Sequence, residues 1–170
     1  MVIKQREGRE ILHRHREEET KAKSAFVESV ADLNKVPETI HTATVKGRDG
    51  TEKHFFRHSN PKKFGPVTAG WVSSTGFAGP KVFMDKTAVV DEEASVTGEA
   101  ELRNHARVYG NAIVKCDKGS KIVINNSEIF DEVTVSASQN HIVLIKDSTV
   151  SGNHTYHNVN MDGDTKTDRA

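Results

Sequence analysis

The chain has 170 residues, balances 24 basic against 24 acidic side chains and is 35% hydrophobic. That share is low for a compact globule and too high for a disordered chain, and no apolar run approaches the ~20 residues of a membrane span. The single cysteine, Cys116, excludes an intrachain disulfide. The balance is uneven: residues 1–64 carry 14 Lys+Arg and 10 Asp+Glu, a net of +4, so the remainder carries −4. The start MVIKQREGRE has no apolar signal core, so a protein made in the cytoplasm is expected.

Residues 4–34 read as a helix within a charged N-terminal segment, 1–37. Ala, Glu, Lys and Arg dominate it, and no proline precedes Pro37. Leu12, His15, Glu19, Ala22, Phe26, Val30 and Leu33 step by three and four. Leu12, Ala22, Phe26, Val30 and Leu33 are the candidate apolar contacts of an oligomerising or docking helix. The alternative is a solvated helix whose second half packs on the body.

Residues 38–80 read as a small β cap and entry segment. Ile40–Val45 alternates, Arg48-Asp49-Gly50 is a hairpin turn, and Thr51–Arg57 follows. Asn60-Pro61 and Gly65-Pro66 then break the chain. No acid lies between Glu52 and Asp85, while Lys53, Arg57, Lys62, Lys63 and Lys81 do. Lys53, Phe55, Phe56, Arg57, Lys62 and Lys63 form a candidate contact for a partner or an anionic surface. Rings can stack on bases while cations meet phosphates, although strand alternation sends one Phe into a core.

From residue 81 to 158 a six-residue beat takes over. Ala88, Ala94, Ala100, Ala106 and Ala112 are each followed two residues later by Val90, Val96, Leu102, Val108 and Val114. Gly98, Asn104 and Gly110 come two residues later again. A period of six means that one short strand and one corner recur, as in a parallel β-helix. Units begin at 82, 88, 94, 100, 106, 112, 121, 127, 133, 142, 148 and 154, with a three-residue slip before 121 and before 142. In the later units Val123, Ile129, Val135, Leu144, Val150 and Tyr156 take the second apolar position. Three units per triangular coil give four coils, ~19 Å tall at the β spacing. Residues 159–170 read as a polar tail that caps one end. The expected fold is mainly β: a short β-helix of about four coils, an N-terminal α-helix and a small β cap. Trp71 reads as a lid on the end of the β-helix core, and Cys116 as a corner residue.

The segments A-V-V-D-E-E, A-S-V-T-G-E, A-E-L-R-N-H, A-R-V-Y-G-N and A-I-V-K-C-D resemble the hexapeptide-repeat family. The stretch Val67-Thr68-Ala69-Gly70-Trp71-Val72 resembles the entry segment of bacterial and bacteriophage hexapeptide proteins of unassigned role. The resemblance implies a left-handed β-helix and a homotrimer. It points to a non-catalytic structural or protein-interaction module with no cofactor and no metal. Its partners would be its own copies or a phage or host protein, with incorporation into a virion as one destination.

Two enzyme readings stand beside this one. Hexapeptide acyltransferases hold an acyl coenzyme between subunits and use a histidine as general base. The candidates here are His105 and His141, then His154 and His157. His105 falls at an outward corner and His154 at an alanine position that faces inward. Hexapeptide carbonic anhydrases instead hold a metal on three histidines across subunits. The acidic and arginine partners of that pattern have no counterpart in this chain.

Overall fold

A computed structural model describes residues 26–27 and 30–167. Most of the expected N-terminal helix, with Leu12 and Ala22, lies outside them. Within them the helix is shorter than its sequence pattern: only Val30–Asn34 (α1) is helical. Val27 forms an antiparallel bridge to Gly47, and the Arg48 amide donates to the Phe26 carbonyl at 2.7 Å. Phe26 and Val27 are both 1% exposed, so burying two adjacent side chains overrides helix propensity there.

The cap is a hairpin. Strand β1 (Thr42–Lys46) pairs antiparallel with β2 (Glu52–Arg57) around the Asp49-Gly50 turn. Asp49 shapes that turn by accepting from the Thr51 amide and hydroxyl, and Gly50 takes the positive φ of 85°. β2 then pairs antiparallel with β3 (Trp71–Ser73), which joins the cap to the coils. β4 (Phe77–Ala78) follows.

The twelve sequence units each supply one strand. The first coil is β5 (Phe83–Met84), β6 (Val89–Val90) and β7 (Ser95–Thr97), and the second is β8 (Ala100–Arg103), β9 (Arg107–Val108) and β10 (Ile113–Cys116). The third is β11 (Lys121–Asn125), β12 (Glu128–Ile129) and β13 (Thr134–Ala137). The fourth is β14 (Ile142–Lys146), β15 (Thr149–Val150) and β16 (Thr155–His157). The ladders also extend beyond residues 81–158: β3 and β4 precede them, and the tail adds β17 (Met161–Asp162) and β18 (Thr165–Lys166). The tail is therefore partly strand, because Met161 supplies an inward apolar residue, 2% exposed.

Three sheets result. Sheet I runs β1-β2-β3-β6-β9-β12-β15-β18, sheet II β4-β7-β10-β13-β16 and sheet III β5-β8-β11-β14-β17. From β3 onward all neighbours are parallel. The five repeating alanines point inward and are at most 1% exposed, beside larger aliphatic residues such as Leu102 in the same core. Gly98, Asn104 and Gly110 turn the corners at φ of 80°, 49° and 71°. A Cβ at Gly98 would lie 2.1 Å from the Cys116 carbonyl oxygen, so that corner needs glycine.

The register corrects the two slipped units. Ile122 and Ile124 sit opposite Ala100 and Leu102, and Val143 and Ile145 opposite Ile122 and Ile124. These four fill the core, while Val123 faces outward and Leu144 is 49% exposed. The corners 117–120 and 138–141 are one residue longer than the repeat count suggested, and the next corner is one shorter. A shift of one residue inverts the faces of a strand.

Two cores exist. One fills the coils. The other lies on the outer face of sheet I, under the cap and α1, and contains Phe26, Val27, Val30, Leu33, Phe55, Trp71, Val89 and Tyr109. Trp71 thus belongs to the outer core and does not close the end of the coils.

Candidate interaction surface

Much of the basic segment is spent inside the chain. The Lys53 ammonium, 10% exposed, pairs with the fully buried Asp91 at 2.9 Å. Asp91 also accepts from the Val27 amide at 2.7 Å and the Glu92 amide at 2.6 Å. One carboxylate therefore ties the N-terminal segment and the hairpin to the first coil. Arg57 donates to the carbonyls of Ile40, Ala69, Val36 and Pro37, and its guanidinium lies 4.0 Å from the Trp71 ring centroid. Phe55 is buried and Phe56 is 49% exposed; alternation along β2 separates them. Lys63 pairs with Glu99 at 3.0 Å, a contact that holds the Glu99 carboxyl below its ordinary pKa. Lys62 is exposed. The six predicted residues therefore do not form one surface.

The apolar docking residues behave similarly. Phe26, Val30 and Leu33 are all buried within this chain's outer core. Phe26 stacks on Tyr109 at 4.0 Å and Tyr109 on Phe130 at 4.9 Å. The Tyr109 hydroxyl donates to Glu128 at 2.8 Å, and burial together with that carboxylate pushes its pKa well up.

The histidines are dispersed over different corners and strands. His105 occupies an exposed corner at φ 68°, as expected. It borders a cleft of about 250 Å³ with Arg107, Asn126, Glu128 and Asp147. His141 is exposed in a lengthened corner, with Nδ1 2.8 Å from the Ser138 carbonyl. His154 is exposed beside Tyr156, where an inward position was expected; in that unit the buried residue is Tyr156. His157 bridges the Ser136 and Ser138 hydroxyls at 2.7 and 2.9 Å. Among the described residues, no three His, Cys, Asp or Glu side chains gather as a metal site. Cys116 lies within β10 instead of at a corner, is 9% exposed, and burial raises its thiol pKa.

Sequence reasoning missed Asp91, because an acid followed by Glu92 and Glu93 reads as solvated. It also missed the exposed apolar residues on the coils. Phe77 (53%) and Ile113 (41%) stand on sheet II, and Ile142 (62%) and Leu144 (49%) on sheet III. Phe77 and Ile113 fall in one column, each opposite Ser95. The other outward residues of the sheet II strands are Ser95, Thr97, Lys115, Thr134, Ser136, Thr155 and His157, so these strands carry no carboxylate outward. Sheet III differs: its Glu101 accepts from Arg103 and Lys121 at 2.8 and 2.7 Å. No family model, curated protein or solved structure matches this chain.

Proposed function

We propose that the protein is a structural or protein-interaction module, without catalysis, that docks through the outer faces of its coils. The supporting observation is the set Phe77, Ile113, Ile142 and Leu144, all exposed on strands whose positions the ladders hold rigid. Apolar side chains on rigid, flat faces are the usual material of an interface. The expected assembly is a homotrimer of parallel prisms in the manner of hexapeptide-repeat proteins, and a phage or host component is the alternative partner.

Light scattering after size exclusion tests this. The wild type should have three times the mass of the double variant Ile142→Ser, Leu144→Ser, with circular dichroism unchanged. A wild-type monomer removes the trimer. A trimer that survives the double variant removes this face from the interface.

A further inference from the structure

The chain treats its open sheet edges unequally. At β5, the edge of sheet III, Asn60 accepts from the Met84 amide at 2.8 Å and donates to the Met84 carbonyl at 2.9 Å. His58 meets the neighbouring Val82 carbonyl at 2.7 Å. Side chains thus stand in for a missing strand. At β1, the edge of sheet I, no side chain does so among the described residues.

The open groups follow from the ladder. The Arg57 amide donates to His41 and the Gly47 amide to Thr51, so the odd-numbered residues of β1 face β2. Thr42 and Thr44 therefore direct their N–H and C=O groups away from it. Past Lys46 the edge is closed by the bridge of Val27 to Gly47. A cleft of about 460 Å³ lies beside the open part, lined by Asp32, Val36 and Thr42 to Lys46. β1 holds no proline, and its single charge is Lys46 at the end, so neither of these two protections of an edge strand acts at its centre.

We propose that a second copy of this chain pairs with β1, antiparallel, about a two-fold axis at Ala43. In that register Thr42 and Thr44 bond Thr44 and Thr42 of the second copy, and the open groups of both edges are satisfied reciprocally. Lys46 falls opposite Ile40 of the second copy, so no like charges face each other, and threonine pairs are favourable across strands. Ala43 meets its own counterpart as a non-hydrogen-bonded pair, where Cα atoms lie about 4.5 Å apart. Ile40 (45%) and Phe56 (49%), both exposed, share the face of Thr42, which Phe56 opposes. They supply the apolar flank of the contact. Sheet I would then run continuously through two molecules joined end to end, and the two-fold closes the assembly without fibres. This contact is independent of the coil faces.

Ala43→Cys provides the test, since a two-fold at residue 43 brings the sulfurs within disulfide range and the native Cys116 is buried. Mild oxidation should give a covalent dimer. Adding Thr42→Glu and Thr44→Glu sets like charges opposite each other twice and should lower the linked fraction about tenfold. Thr42→Glu with Thr44→Lys sets opposite charges together and should restore it, with circular dichroism confirming the fold of each. Absence of the covalent dimer, or equal linking in the two charge variants, overturns the proposal. The same cross-link in the Ile142→Ser, Leu144→Ser background separates this contact from the coil faces.

Discussion

The two cores are built on different logic. Inside the coils each layer sets a small or aliphatic residue over another, as Val108 over Val90 and Ile122 over Ala100, so a unit's residues are interchangeable in kind. Under the cap nothing repeats. Segments distant in sequence bring Phe26, Leu33 and Phe55 onto Trp71, Val89 and Tyr109, and a single carboxylate, Asp91, holds the Lys53 ammonium and the Val27 amide. A repetitive core spreads its stability over many small equivalent contacts. A unique core concentrates it in a few groups, and there the loss of one leaves a buried partner unmatched.

The largest expected effect therefore lies in the outer core. Asp91→Ala should cost about 4 kcal/mol in urea unfolding, because it strands a largely buried ammonium. Adding Lys53→Met should return much of that loss; a double variant as unstable as the single would show that the ion pair is not the reason. In the coils, Ile124→Ala should cost about 3 kcal/mol, whereas Val123→Ala should change stability by about 0.5 kcal/mol or less. The reverse order would restore the register read from the sequence and refute the one described above.

The smallest effect depends on pH. Burial lowers the pKa of His58, while its bond to the Val82 carbonyl opposes that shift. The native state then binds this proton less readily than the unfolded chain, whose histidine titrates near about 6.5. The contribution is complete above that value and is lost as pH falls through the folded pKa. Thermal unfolding between about pH 8 and about pH 5 should show a decline that His58→Gln reduces. An identical decline in the variant would assign it to other groups.

Much of this molecule is legible in its sequence. The six-residue beat places twelve strands in order, and Asp49-Gly50 marks the hairpin. The slipped units are harder to read, because Ile122, Val123 and Ile124 are all apolar and cannot say which of them points inward. The basic segment misleads for a related reason. Lys53 and Arg57 look like free cations until the fold brings Asp91 and four carbonyls to them.

Sequence alone determined the coil, because period and corner chemistry are local: a small inward residue, an aliphatic two positions on and a residue tolerant of positive φ suffice to define each unit. Only the tertiary structure decided which charges are internal, where Phe26 and Trp71 pack and which edge stays open. Those outcomes depend on segments far apart in the chain, such as Val27 and Asp91, whose meeting leaves no periodic trace in the sequence.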